Sequence, residues 1–561
     1  MLEGVVPFPP EFASRYRQKG YWGDRSIGSA FDEVFARFAD RTAIVAGDNR
    51  VSYRELAQTA ERLGLHLLQM GVKPLDRFVV QLPNIPEFVY LYFALQKVGA
   101  IPIMALPSHR YLEVRHYVGL ADAVAYVLPD RVGDFSFLGL AERIRREHPS
   151  LRLLLVHGLV HGEDIPAGFI SLKRLLQEDT GLPASSLDRV PIDPTDPAVF
   201  QLSGGTTGIP KLIPRTHNDY IYNSQMAGSV VDIRPDDALL VALPIAHNLP
   251  LACPGLQGFL MRGARCVLST STRAEKVFPL MEREKITHLA VVPALLIQWI
   301  NDPLIEKYDL SSVRVVQSGG QKLQPEVRRR TEELIPTATV QENFGMAEGL
   351  LMFVRLNDPL EVRMETVGRP VSPADEVKLV DAEGREVPDG AVGELACRGP
   401  YTLRGYFRAP EHNARAFTSD GFYLTGDLMR RHPSGNFVVE GRKKDLINRG
   451  GEKISAEEVE NLILSHPAVQ NVACVPMPDP VLGERMCAFV IPKPGAAIPL
   501  QELVRFLMDA GIAKFKLPER VEIVEEFPLS PFGKVSKQIL AKQIAEKLEQ
   551  EIQRGIAGSK R

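Results

Sequence analysis

The densest chemical signal in the chain is SGGTTGIPKLI, residues 203–213. Gly204, Gly205 and Gly208 permit tight turns that bring backbone N–H groups close to an anion. Ser203, Thr206 and Thr207 add hydroxyl donors, and Lys211 adds a positive charge. Together these suit a polyphosphate. The segment is not a Walker A loop: its lysine follows Pro210 rather than glycine, and Leu212 stands where that pattern needs Ser or Thr. Nor is it G-x-G-x-x-G. A plain glycine-rich turn is the bland alternative, and two threonines, an Ile-Pro and a lysine in this order disfavour it.

The elements around this loop read as alternating helices and strands. Residues 28–45 predict an amphipathic helix running into a strand, and Ser52 predicts the cap of a second helix whose apolar residues recur at three- and four-residue steps. RFVVQLPN and PEFVYLYFALQKVGAIPIMA continue the alternation, as does 272–300, which implies parallel sheets covered by helices. From about residue 366 the texture turns to Gly, Pro and alternating apolar residues, a β-rich subdomain with tight turns. After GRKKD (441–445) a compact α+β unit is expected, opening with a helix capped by Ser455 with Glu458 in a capping box. The last stretch, from Lys537, predicts a charged helix with a frayed end.

The fold expected is therefore α/β. A large N-terminal domain, residues 1–441, holds two α/β subdomains plus the β-rich one, and a small mobile α+β C-terminal domain spans 442–561. With 561 residues the chain is too long for one core. Its 66 basic and 69 acidic residues nearly cancel, which gives no sign of nucleic-acid or membrane-surface binding. The five cysteines form no C-x-x-C pair or metal-ligand spacing and read as reduced thiols of a cytoplasmic protein. The N-terminus has no basic start followed by an apolar run, and no stretch is long and apolar enough for a membrane span.

SGGTTGIPK resembles the phosphate-binding signature of the adenylate-forming superfamily, which includes acyl-CoA synthetases, peptide-synthetase adenylation domains and beetle luciferases. Four more motifs follow in that family's order: QENFGMAEG (341–349), FYLTGDL (422–428), GRKKDLINRGGEKI (441–454) and SPFGKVSK (530–537). Five ordered motifs over nearly the whole chain are highly specific. VPFPPEFASRYRQKGYW, AHNLPLACPG (246–255) and FGMAEGL resemble, more narrowly, the stand-alone aryl-acid ligases of siderophore pathways, which activate 2,3-dihydroxybenzoate or salicylate.

The resemblance implies ATP and Mg²⁺ as cofactors and assigns the site. The 203–211 loop holds the β- and γ-phosphates. Glu348 ligates Mg²⁺, a hard cation suited to carboxylate and phosphate oxygens; a helix-start glutamate is the alternative. Asp427, with two acceptor oxygens, and Arg442 hold the ribose. Phe344 and Gly345 flank adenine, although an aromatic at 344 would serve equally as core. Gly319 and Gly320 let the backbone approach the purine. Lys534, in a Pro-Phe-Gly turn, bridges the acid's carboxylate and the α-phosphate. Lys537 is expected to be solvated. Lys444 takes the hinge position, and Gly450 and Gly451 belong to the loop lining the thiol tunnel after the C-terminal domain rotates.

The acid pocket follows the family and departs from it. His247 and Asn248 match its gate and aryl-acid contacts, and Cys253 stands at its selectivity position. Leu249 replaces the usual aromatic, Gln321 a small residue and Asn343 an apolar one, while Leu351 is a conservative apolar choice. The polar changes would suit an aminated or heteroaromatic acid. The expected partners are an aryl acid and a separate aryl carrier protein bearing a phosphopantetheine arm, because no Leu-Gly-Gly-x-Ser site follows residue 537. Coenzyme A is the rival acceptor, and a non-catalytic homologue the rival of another class.

Overall fold

Strands with no polar face form the centre of the largest sheet. ALLV (Ala238–Val241) and HLAV (His288–Val291) are buried at every position, as central strands of a parallel sheet covered on both sides must be. The computed structural model describes residues 1–158, 165–203, 210–443, 445–450, 452–530 and 534–553. Its nine-stranded sheet runs, edge to edge, Arg369–Pro370, Gly349–Phe353, Thr339–Met346, Val315–Gly319, His288–Val291, Ala238–Val241, Arg265–Leu268, Thr42–Ala46 and Asn49–Ser52. The inner pairs, from Thr339–Met346 to Thr42–Ala46, are parallel.

A seven-stranded sheet carries Pro197–Leu202 and its antiparallel edge partner Leu212–Thr216. Helices Ile27–Arg37, Tyr53–Gln69 and Pro86–Val98 contribute Phe31, Phe35, Tyr53, Leu63, Phe93 and Leu95 to the main core, which joins residues of both sheets. The expected Ser52 cap is present, with a full capping box to Glu55. Removing a ring such as Phe31 would cost about 3–5 kcal/mol.

Residues 376–442 form a four-stranded antiparallel sheet with its own core of Leu379, Leu395, Met429 and Phe437. After Arg442 comes a five-stranded sheet flanked by helices Ala456–Leu464 and Lys537–Gln553. It packs two further cores, one with Val459, Ile463 and Leu503, the other with Val475, Phe489, Leu540 and Ile544. The α/β, β-rich and α+β parts expected from sequence are all present.

Two local readings need correction and a third is extended. Ser455 accepts from the Glu458 N–H at 3.3 Å, but the Glu458 carboxylate pairs with Lys516 at 2.6 Å instead of closing a capping box, and the Ser455 hydroxyl donates to the Glu440 carbonyl at 2.6 Å, tying this segment to the preceding sheet. Lys537 is not a solvated lysine: its Nζ pairs with Glu460 at 2.7 Å. The last helix is charged, yet Leu540 and Ile544 are buried against the sheet. Among the described residues no helix is long and apolar enough to cross a membrane.

Candidate functional site

Parallel strands deliver the site residues at their carboxyl ends, where open α/β sheets bind ligands. Ala238–Val241 leads to His247, Val315–Gly319 ends at the Gly319–Gly320 pair, and Thr339–Met346 carries Asn343 and Phe344. Gly320 has φ +90°, a backbone that strongly favours glycine, and a Cβ there would lie 3.1 Å from Lys534 Cε and 3.7 Å from its Nζ. Gly319 has no room for a Cβ beside the Asn343 carboxamide. The loop beyond is pinned from below: the Leu323 N–H donates to Glu342 at 2.8 Å, and Glu342 pairs with buried Arg328 at 3.1 Å.

Lys534 is tied back to Ser530. Its N–H donates to Ser530 Oγ at 3.2 Å, its carbonyl accepts from the Ser530 N–H at 2.6 Å, and Leu529 bridges Val535. These bonds hold the lysine of the C-terminal segment where its side chain reaches Gly320. Gln324 and Asn461 hydrogen-bond across the same junction. His247 caps helix Asn248–Ala252, its Nδ1 accepting from the Leu249 N–H at 3.3 Å. Burial first, and the Lys534 charge second, hold its imidazole down at about 3, so it is neutral near pH 7.

Residues 203 and 211 close the base of the glycine-rich loop. The Ser203 N–H donates to the Lys211 carbonyl at 3.0 Å, and the Lys211 N–H donates back to Ser203 Oγ at 2.9 Å. Gly204, Gly205, Thr206, Thr207 and Gly208 lie outside the described residues, as do Lys444 and Gly451. The Lys211 ammonium sits 5.6 Å from the centre of the Tyr406 ring. Tyr406 in turn donates to Glu348 Oε1 at 2.8 Å and lies 2.8 Å from the Tyr423 hydroxyl. Burial and Glu348 push the Tyr406 phenol far above its usual range, so it stays a donor. Glu348 is a buried turn residue between strands Thr339–Met346 and Gly349–Phe353, not a helix start.

Asp427 and Arg442 face each other across antiparallel strands, with Arg442 Nε donating to Asp427 at 2.8 Å. The carboxylate raises the Arg442 guanidinium further. Phe344 is half-buried against the core beneath this sheet, so it is both a packing residue and a partly open face. Gly345 is exposed, and Leu351, its cross-strand partner, is buried over it. Gly450 turns at φ +60° between two strands of the C-terminal sheet, its N–H donating to the Leu482 carbonyl at 2.8 Å, and has no described contact with these groups.

The acid-pocket candidates form a buried polar cluster. Asn248 Oδ1 accepts from the Tyr220 hydroxyl at 2.8 Å, and its Nδ2 donates to Cys253 Sγ at 3.1 Å. Asn223 Nδ2 approaches the same sulfur at 3.9 Å, and burial pushes the Cys253 thiol up to about 12. Arg215, wholly buried, anchors the cluster to the turn that carries Glu348: it donates to Asp219 at 2.9 Å, to the Ala347 carbonyl at 3.0 Å and to Asn223 at 3.3 Å. Leu249 is buried, and Gln321 is half-exposed in the loop after Gly320. Asn343 is 5% exposed, and its Nδ2 is a buried donor without a partner among the described residues.

Tyr406, Tyr220, Gln201, Asn223 and Arg215 are site residues that sequence reasoning missed. Only Arg215 had a local signal: Thr216 and Asp219 form a capping box, and Asp219 lies one helical turn from the arginine.

The model of the AMP-binding enzyme family matches residues 31–407, and that of the AMP-binding enzyme C-terminal domain matches 458–534. A Streptomyces salicylyl-CoA synthase / salicylate adenylyltransferase is 48% identical over 96% of this chain and 97% of its own length. The 2,3-dihydroxybenzoate-AMP ligase of Bacillus subtilis is 46% identical over 98% of this chain and 99% of its own. A salicyl-AMP ligase / salicyl-S-ArCP synthetase of Mycobacterium tuberculosis is 43% identical over 97% and 95%. Among solved structures, apo MbtA of Mycobacterium smegmatis superposes with a TM-score of 0.73 at 40% identity, covering 96% of this chain and 99% of that one.

Proposed function

The chain belongs to the AMP-binding enzyme family, and we propose that it activates an aryl carboxylic acid of the salicylate or 2,3-dihydroxybenzoate type as aryl-AMP, then passes the aryl group to the phosphopantetheine thiol of a separate aryl carrier protein. The observation that carries this reading is Lys534 resting on Gly320 with neutral His247 in its field, beside the Asn248–Cys253 cluster.

In the first step a carboxylate oxygen attacks the α-phosphorus of ATP and pyrophosphate leaves. Both partners are anionic, so the barrier is repulsion and leaving-group charge, which positioned cations lower. Lys534 takes the bridging place between carboxylate and α-phosphate. Lys211 and the 204–208 segment take the outer phosphates, the Asp427–Arg442 pair takes the ribose, and Gly319, Gly320, Phe344 and Gly345 flank the base. Among the described residues no group of three His, Cys, Asp or Glu gathers as a self-sufficient metal site. A single carboxylate, Glu348, oriented by Tyr406, fits Mg²⁺, which takes most of its ligands from phosphates and water. Bound there, Mg²⁺ would neutralise phosphate charge. In the second step the thiolate attacks the acyl carbon and AMP leaves. Lys534 in its present place crowds that approach, so the segment from 442 onward must rotate, with Lys444 as hinge and Gly450–Gly451 then lining the thiol's path. The five buried, unpaired cysteines support a reducing, cytoplasmic setting.

ATP–pyrophosphate exchange over benzoates, hydroxybenzoates, aminobenzoates and picolinates tests the first step. Exchange dependent on an aryl acid is expected, and none with any acid of the panel overturns the reading. The name of the Streptomyces relative favours coenzyme A as a second acceptor. Thioester yield with carrier protein against free coenzyme A decides between them.

A further inference from the structure

Resting on the aryl-acid reading above, we propose that Tyr220 is a positioning residue that holds the Asn248 carboxamide as a hydrogen-bond donor toward the acid, and thereby makes the enzyme favour an ortho acceptor over an ortho amine.

The geometry is a relay of buried groups. Gln201 Nε2 donates to the Tyr220 hydroxyl at 3.0 Å, and that hydroxyl donates its one hydrogen to Asn248 Oδ1 at 2.8 Å. Tyr220 is wholly buried and Gln201 is 2% exposed, so neither bond competes with water. Burial raises the Tyr220 phenol well above its usual value, which keeps the hydroxyl protonated. At the far end, Cys253 Sγ is approached by Asn248 Nδ2 and by Asn223 Nδ2 at 3.9 Å, and Asn223 is itself fixed by partners of one kind. Arg215, which can only donate, gives a hydrogen to Asn223 Oδ1 at 3.3 Å, and Asn223 Nδ2 gives one to the Ala252 carbonyl at 2.6 Å. Arg215 also lies 4.7 Å from the centre of the Tyr220 ring, fixing the phenol from its face.

Asn248 therefore has its oxygen engaged. One Nδ2 hydrogen goes to Cys253 Sγ, and a second remains for the acid. A 2-hydroxybenzoate turns its hydroxyl hydrogen toward its own carboxylate and presents oxygen lone pairs outward, which accept that hydrogen. A 2-aminobenzoate spends one N–H on its carboxylate and turns the other outward, against the donor, while its nitrogen lone pair is delocalised into the ring. A ring nitrogen at the same edge would be accepted. The discrimination comes from leaving a buried polar group unmatched.

The test is kcat/KM for acid-dependent exchange with salicylate and with 2-aminobenzoate, in wild type and in Tyr220→Phe, which keeps the ring under Arg215. The wild type should favour salicylate at least ~tenfold, and Tyr220→Phe should shrink that ratio by about tenfold, mainly through KM. A structural role alone would lower both acids together. Should Tyr220→Phe fail to fold, Gln201→Met, which removes the support behind the hydroxyl, should move the ratio the same way by about threefold. Exchange with an unmoved ratio in a folded variant overturns this inference alone. No exchange with any aryl acid overturns the aryl-acid reading and this inference with it.

Discussion

Lys534 lies against Gly320, so close that one methyl group on the glycine would come within 3.1 Å of the lysine Cε. Gly320→Ala should therefore hurt the first half-reaction selectively. Displacing a catalytic group by about 1 Å can cost about a hundredfold. Adenylate formation should fall by at least ~tenfold, and thioester formation from a supplied aryl-adenylate should survive. The positive φ of Gly320 adds strain of its own, so Gly384→Ala, at φ +79° with nothing within 4 Å, is the control for backbone strain alone. Equal loss in both half-reactions would remove Lys534 from the role given to it.

Tyr406 should matter through Glu348. Its hydroxyl is the donor at 2.8 Å that orients the carboxylate, and Tyr423 stands behind it. Tyr406→Phe keeps the ring near Lys211 and deletes the hydroxyl's bonds to Glu348 and Tyr423. Losing such a supporting hydrogen bond typically weakens metal affinity by about 10–100-fold. The expected result is a higher Mg²⁺ requirement in pyrophosphate exchange, with a smaller loss at saturating Mg²⁺. An unchanged Mg²⁺ titration would separate Glu348 from the metal.

Much of this site was legible because its chemistry is local. Gly319–Gly320 and the Ser203/Lys211 pair sit at strand ends and Asp427 lies within strand Tyr423–Arg431, all in segments that short motifs announce, and apolar runs such as ALLV announce the sheets. What was not legible depends on burial and on distant partners. Lys537 reads as one more surface lysine until Glu460 is brought beside it. Glu348 lies on a motif and Tyr406 on none, and nothing local marks the tyrosine as a donor. Gln201, Tyr220, Asn223 and Asn248 belong to three separate elements and gain meaning only when the folded core removes water from all of them.

His247 should make the fold acid-sensitive. The unfolded chain binds a proton at this position near 6.5, whereas the native imidazole stays neutral down to about 3. Stability from this group is therefore fully present above pH 6.5 and is lost as pH falls toward 3, at up to about 1.4 kcal/mol per pH unit. His247→Asn keeps a capping side chain for helix Asn248–Ala252 and removes the titration. Denaturant melts at pH 7.5 and 5.5 should show a smaller acid loss in the variant than in the wild type. Parallel losses would contradict a neutral His247.

Cys253 should set the preference between salicylate and 2,3-dihydroxybenzoate. The sulfur already faces two amide donors, Asn248 at 3.1 Å and Asn223 at 3.9 Å, in a pocket where it is 3% exposed. A 3-hydroxyl placed there would exchange water for a weak partner. Leaving it poorly matched costs roughly 1–3 kcal/mol, so the wild type should favour salicylate. A serine oxygen accepts from both amides more strongly and gives its own hydrogen to the 3-hydroxyl. Cys253→Ser should thus move preference toward the dihydroxy acid by about tenfold, equivalent to ~1.4 kcal/mol. The measurement is kcat/KM for both acids in both proteins. A wild type that prefers 2,3-dihydroxybenzoate, with no shift in the variant, would sink this account and point to Asn343, whose buried Nδ2 has no partner among the described residues. In that event Asn343→Val should abolish the preference with little loss of stability, since it replaces an unmatched polar group by an apolar one.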